Sequence, residues 1–294
     1  MSEIDMSKIV NKIKGRLEKK NPKAARQIGT GDSLHILNDD DYIQMPEWWQ
    51  KATNTKGLAF GRLTVLAGKS DSGKTSACIV AMKAAQEQGH GIIYVETESK
   101  TTESDLSSWG VNPNGIIVIQ STVVEEAFEL MFEAWDEFKE IFPDKKLLII
   151  VDSMGNNVTQ RDSEIDIMKQ NQKPGEKGKI NRLIISKLVS KRDQDKPAIL
   201  LVTYYYQNQG THGVTIAGGD ALKFYSALIY RTAYAGTLFK TVKGEKIKKG
   251  IKAQWTLVKN HLNKNNPGNY KIDFEITEDG FNFIGGDSGK KEKE

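Results

Sequence analysis

The octet Gly68-Lys69-Ser70-Asp71-Ser72-Gly73-Lys74-Thr75 constrains this chain more than any other stretch of it. It follows a short apolar run, LTVLA at 63–67, and leads into Ala77, Ile79, Val80 and Met82. Strand, glycine-framed turn and helix in that order make the phosphate-binding loop G-x-x-x-x-G-K-[ST]. The chemistry requires this layout. Glycines let the backbone wrap phosphate oxygens, while successive N–H groups and a helix N-terminus supply positive potential. Lys74 reaches the outer phosphates of a nucleotide, and the Thr75 hydroxyl ligates Mg2+. All eight residues, Gly68 through Thr75, are therefore candidate nucleotide contacts.

The text around the loop alternates short β-rich runs with helical stretches. Strands are expected at 63–67, 91–96, 115–120, 147–151 and 198–202, all rich in Val, Ile and Leu as in a parallel sheet covered on both faces. Helices are expected at 74–88, at 123–141 with Ala127, Met131, Ala134, Trp135 and Phe138 on one side, and at 179–192. This is βαβ rhythm, hence an α/β fold. After Ala227 the rhythm changes to four strands without helices, ALIYRTAYA, KAQWTLVKN, NYKIDFEIT and GFNFIG, parted by the turn segments KGEKIKKG, NPGN and EDG. These are expected to extend the sheet as antiparallel pairs. Ahead of the core, residues 6–20 set Ile9, Ile13 and Leu17 four apart on a basic helix, followed by an aperiodic linker. The expected organisation is a helix and linker over 1–56, an ATPase-like core over 57–286, and a disordered tail over 287–294.

Composition serves mainly to exclude. Uninterrupted apolar runs such as 147–151 and 198–202 span five residues, far short of the about 20 that a membrane span needs, and no signal segment opens the chain. One cysteine rules out an internal disulfide, and four scattered histidines argue against structural zinc. The charge is unevenly spread. Residues 1–26 hold eight Lys/Arg against three Asp/Glu, 96–144 hold two against twelve, and 240–271 hold nine Lys against Glu245 alone. Basic ends beside an acidic middle suit a polyanion partner or head-to-tail self-association.

Two further features fit the loop. LLIIV at 147–151 runs into Asp152, a buried strand ending in a carboxylate that can hold the metal's water shell. In Tyr94-Val95-Glu96-Thr97-Glu98-Ser99 two carboxylates close the second strand, where open α/β sheets build their sites. Alternation along an extended segment would point both to the same side. Spacing does not choose which of them activates water.

These residues resemble the RecA family of recombinases, most closely its phage UvsX branch, over roughly residues 57–262. Gly57-Leu58-Ala59-Phe60-Gly61-Arg62 resembles the family's approach to its first strand, and Trp109-Gly110-Val111 resembles its leucine-glycine-valine turn. Asp152-Ser153-Met154-Gly155-Asn156 is similar to the UvsX extension of the carboxylate strand. The most specific block is Gly218-Gly219-Asp220-Ala221-Leu222-Lys223-Phe224-Tyr225-Ser226.

The resemblance implies a RecA-like core with an N-terminal arm. It implies a DNA-dependent ATPase using ATP and Mg2+, and a homo-oligomeric helical filament on single-stranded DNA that pairs it with homologous duplex. It implies a cytoplasmic protein of a phage-infected bacterial cell, served by a loader or single-strand-binding protein. Glu98 falls at the water-activating glutamate, with Lys74 beside it as the second catalytic residue. Lys259 matches a lysine that reaches the neighbouring subunit's phosphates, and His261 stands where a second would be. Ile9, Ile13 and Leu17 match the polymerisation arm, and Lys223 and Phe224 the subunit interface. Residues in about 156–178 and 205–217 match two DNA-binding loops, with Arg161, Lys169, Lys173, Lys177 and Lys179 for phosphates and Tyr205, Tyr206 and Gln207 for bases. Tyr204, nearest the strand, is the most structural of its tyrosines.

The chain departs from the family at Thr203-Tyr204, the sensor position, at His261, and at Thr102 and Asp105 on the adenine side. No lobe follows residue 286, so DNA capture by one is expected to be absent or supplied by a partner. Two other readings use the same residues. One is a structural or annealing filament with slow ATP hydrolysis; the other is a hexameric helicase on the same core, which the 218–226 block argues against.

Overall fold

The computed structural model describes residues 5–25, 28–29, 37–155, 158–164, 176–207, 214–263 and 270–287. The chain divides into two compact units, residues 1–41 and 42–294. In the first, α1 (Ser7–Lys20) confirms the helix expected from the four-residue spacing, and it buries none of its residues. Lys19 and Lys20 close its last turn, where cations favour the helix dipole. The linker is not wholly irregular, since α2 (Pro22–Ala25) follows with proline in its first turn.

The second unit opens at Tyr42, upstream of the expected boundary at Gly57. The reason is pairing: β1 (Tyr42–Gln44) runs antiparallel to β2 (Gly57–Ala59), with α3 (Glu47–Thr53) between them. Then come β3 (Leu63–Gly68), α4 (Lys74–Glu87), β4 (Gly91–Glu96), α5 (Glu103–Ser108), β5 (Ile117–Gln120), α6 (Val124–Ile141) and β6 (Leu147–Asp152). They are followed by α7 (Gln160–Glu164), α8 (Glu176–Asp195), β7 (Ala198–Thr203), β8 (Tyr205–Gln207), β9 (Val214–Ile216) and α9 (Gly219–Tyr225). The chain closes with β10 (Leu228–Val242), β11 (Glu245–Asn260), β12 (Tyr270–Thr277) and β13 (Gly280–Asp287).

Among the described residues nine strands form the main sheet, in the order β13-β12-β11-β10-β3-β7-β6-β4-β5. Pairings from β10 across to β5 are parallel, and those from β10 out to β13 are antiparallel. The fold is thus the mixed α/β sheet that the change of rhythm at residue 227 implied. Alternate residues of each parallel strand feed two cores. Leu66, Ile92, Tyr94, Leu148, Ile150 and Leu200 pack on the α4 side, and Val65, Ile93, Val95, Ile149, Val151 and Leu201 on the α6 and α8 side. Period-two alternation with both faces apolar explains the near-continuous hydrophobic runs.

One expected turn is shorter than its eight residues. KGEKIKKG is not a loop, because only Lys243 (φ 51°) and Gly244 (φ 90°) turn, and strand resumes at Glu245. Two positive φ angles make the tight hairpin that suits twisted strands. Pairing of β10 with β3 ends at Thr232, and pairing of β11 with β12 starts at Gly250. Between those limits β10 and β11 pair only with each other, as a ribbon leaving the sheet.

Candidate functional site

The parallel strands end together, and the site lies at their C-terminal ends. A cavity of about 700 Å3 is lined by the loop after β3 together with Glu98, Lys100, Asp152, Ser153 and Tyr204. All eight motif residues, Gly68 through Thr75, border it. Both of its glycines are sterically required. A Cβ on Gly68 would lie 1.8 Å from the Thr232 Oγ1, and one on Gly73, whose φ is +80°, would lie 2.2 Å from the Ile276 side chain.

Lys74 donates to the Lys69 carbonyl at 2.6 Å. Burial lowers its pKa from the usual lysine value, and the nearby Asp152 and Glu98 charges oppose that shift. Thr75 Oγ1 donates to Asp152 Oδ2 at 2.7 Å, bridging α4 to the end of β6 across β7. Burial pushes the Asp152 carboxyl up to about 6; the Thr75 hydrogen bond opposes this and the Glu98 charge adds to it. A buried carboxylate short of positive charge, beside a hydroxyl and a phosphate-binding loop, fits a divalent cation. Among the described residues no group of three His, Cys, Asp or Glu could hold a metal by itself. Thr75 and Asp152 are the residues of the loop cavity that could hold Mg2+.

The two carboxylates after Tyr94 do not share a side. Strand β4 ends at Glu96, so alternation no longer governs Glu98. Glu96 is buried, and its Oε1 accepts the N–H of Glu98 at 3.0 Å and of Lys100 at 3.3 Å. It borders a separate cavity of about 230 Å3 with Tyr94, Thr101 and Leu106. Glu98 turns instead into the loop cavity, where Ser153 Oγ donates to its Oε1 at 2.8 Å and Lys100 pairs with its Oε2. Sequence reasoning missed both Ser153 and Lys100. The only signal was a cation two residues after the carboxylate.

The remaining candidates are scattered. Thr102 and Asp105 form a reciprocal capping box that starts α5. Lys259 does not reach into the cavity of its own subunit. Its ammonium donates to the Lys223 and Phe224 carbonyls at 2.9 and 3.0 Å, capping α9. Phe224 is 77% exposed, Lys223 and His261 are exposed, and Ile9 on α1 is 50% exposed, with Ile13 and Leu17 half-buried.

The described ends of the second proposed DNA loop pair with each other, β8 antiparallel to β9, with Tyr205 opposite Ile216 and Gln207 opposite Val214; residues 208–213 lie outside the described residues. Tyr205 borders the loop cavity, and Tyr206 is 50% exposed. Tyr204 lies against the backbone of Gly155. Arg161 sits on α7, and Lys177 and Lys179 on α8. Lys169, Lys173, the side chains of Lys177 and Gln207, and residues 288–294 of the expected 287–294 tail lie outside the described residues, while Asp287 is not tail but the last residue of β13. The ribbon adds a basic surface. Lys246 and Lys248 stand opposite Thr241 and an exposed Phe239.

No helix among the described residues is long and apolar enough to cross a membrane. The family model for the RecA N-terminal domain matches residues 48–278. A plasmid Protein RecA of Lactococcus lactis subsp. lactis is 30% identical over 203 residues, 66% of this chain and 52% of that one. Protein RecA of Mycoplasma pneumoniae is 26% identical over 249 residues, 84% of this chain and 67% of that one. Protein RecA of Ureaplasma parvum serovar 3 is 25% identical over 261 residues, 85% of this chain and 75% of that one. The chain thus spans about half the length of the Lactococcus relative and two thirds to three quarters of the other two. The family match runs from α3 to the end of β12 and takes in the loop, Glu98 and Asp152, so the chain belongs to the RecA family.

Proposed function

We propose that this chain is an ATP-dependent recombinase that coats single-stranded DNA as a head-to-tail filament and pairs it with homologous duplex. The observation that carries the reading is Glu98, a carboxylate oriented by Ser153 and facing the phosphate-binding loop from the next strand of the motif order. The loop N–H groups and Lys74 bind the outer phosphates. Glu98 orients water and accepts its proton as the terminal phosphoryl group is transferred. Thr75 and Asp152 would hold Mg2+, which would neutralise charge on the phosphate oxygens.

The assembly reading is supported by what the isolated chain leaves exposed or half-buried. Phe224 and Lys223 on α9, and the apolar stripe Ile9, Ile13 and Leu17 on α1, suit contact with a second copy. Lys259 and His261 of that copy would complete the phosphate site, Lys259 exchanging the α9 carbonyls for phosphate oxygens. Arg161, Lys177, Lys179 and the ribbon lysines suit DNA phosphates, and Tyr205 and Tyr206 suit stacking on bases. Within the family, the 218–226 block supports the phage UvsX branch.

A second reading, a filament that holds ATP and turns it over slowly, is favoured by the Lys100–Glu98 ion pair, which occupies the carboxylate oxygen not held by Ser153. Electron microscopy with single-stranded DNA, with and without ATP, tests assembly. Filaments requiring ATP support both readings, and closed rings or bare DNA overturn both. The DNA-stimulated ATPase rate, with Lys74→Ala as the inactive control, separates the two.

A further inference from the structure

Ser72 of the phosphate-binding loop is held from outside the motif, at its hydroxyl and at its carbonyl, by two residues that no loop pattern contains. Thr232 on β10 and Trp255 on β11 stand directly opposite each other in the antiparallel pair, and Thr232 also stands opposite Gly68 on β3. The Trp255 indole N–H donates to the Ser72 carbonyl at 2.9 Å. Ser72 Oγ donates to the Lys69 carbonyl at 2.8 Å, which leaves it to accept from Thr232 Oγ1, also at 2.8 Å. All three residues are buried, and neither Thr232 nor Trp255 lines the nucleotide cavity. Burial alone does not bring an indole such a partner. Trp49 and Trp135 are as fully buried, and their ring nitrogens find no acceptor among the described residues.

We propose that Thr232 and Trp255 are positioning residues for the loop, setting the direction of the N–H groups that receive phosphate. The peptide plane supplies the mechanism. In a trans peptide the carbonyl and the following N–H point in opposite directions. A Ser72 carbonyl held on the indole therefore turns the Gly73 N–H away from the sheet extension, at the start of α4 where phosphate binds. Thr232, through the Ser72 and Lys69 link, fixes the other half of the same turn. Without these bonds the loop must be ordered by the nucleotide itself, and binding weakens by the cost of that ordering. The proposal rests on the loop being a nucleotide site, which the parent protein tests separately.

The experiment measures Mg2+-ATP affinity of the full chain by calorimetry without DNA, then KM and kcat with saturating single-stranded DNA. Thr232→Val keeps the volume and removes the hydroxyl, and Thr232→Ser restores it. The expected result is about tenfold weaker ATP binding and a KM raised to match in Thr232→Val, with kcat within about twofold, because ground-state and transition-state contacts are lost alike. Thr232→Ser should return to the parent values, and Trp255→Phe should behave like Thr232→Val. If Trp255→Phe does not fold, the threonine pair decides. A lower melting temperature with unchanged KM would overturn the proposal, as would a serine variant impaired as much as the valine one. A parent that binds no ATP would overturn the nucleotide reading itself; a parent that binds ATP no better than Thr232→Val would overturn only the positioning role.

Discussion

Asp152→Asn should stabilise the nucleotide-free protein while abolishing its response to nucleotide. The carboxyl is buried and titrates at about 6 rather than at the ordinary 3.8. The sign follows from proton counting. Between those two values the folded state binds more protons than the unfolded one, so stability falls as pH rises through the window and stays low above it. Two pH units at about 1.4 kcal/mol each give about 3 kcal/mol of penalty at neutral pH. An asparagine oxygen still accepts from Thr75 and carries no charge to bury, but Lys74 loses a counter-charge. The net gain should be about 2 kcal/mol at pH 8, roughly 4–8 °C in melting temperature for a unit of this size. Thermal melts of parent and variant in a chelator, from pH 4.5 to pH 8, read the effect. The two curves should draw together as pH falls through 6, the difference at pH 4.5 being about a third of that at pH 8, and Mg2+-ATP should raise the parent alone. A difference that does not change with pH, or a variant less stable than the parent at pH 8, would refute the reasoning.

Glu98→Gln should keep ATP binding and lower turnover about 100-fold or more, the range expected for a lost general base, whereas Glu96→Gln should do much less because Glu96 braces the turn. Equal effects in a steady-state ATPase assay would sink that division of labour. Binding of single-stranded DNA should weaken steeply with salt, by about 0.7 log units per decade for each phosphate contact, and a flat titration would leave the lysines of the ribbon and α8 as solvated surface. Changing Ile9, Ile13 and Leu17 together to serine should leave the melting temperature nearly unchanged, since α1 buries no residue, yet suppress polymerisation in light scattering. Filaments of parental length would show that the stripe has no part in assembly.

Short-range physics made the glycine-framed loop between β3 and α4, the parallel strands and the long helices legible without a structure. A loop motif occupies consecutive residues, and apolar periods of two and 3.6 declare which faces are buried within a few residues of each position. Asp152 was legible for the same reason, as the polar end of an apolar run. The separation of Glu96 from Glu98 was not, because it depends on where β4 stops, and a strand end is set by what its neighbours pair with. Ser153 became part of the site only when the end of β6 came alongside the turn after β4, and Lys259 became the cap of α9 only when β11 passed it. Thr232 and Trp255 lie 160 and 183 residues from Ser72, and no local pattern carries an interaction over that span. The chain's own text chose the chemistry of the loop, because that chemistry needs only neighbouring residues. The direction in which the loop points was decided by strand order, because a hydrogen bond needs its two partners in contact and only the assembled sheet brings these together.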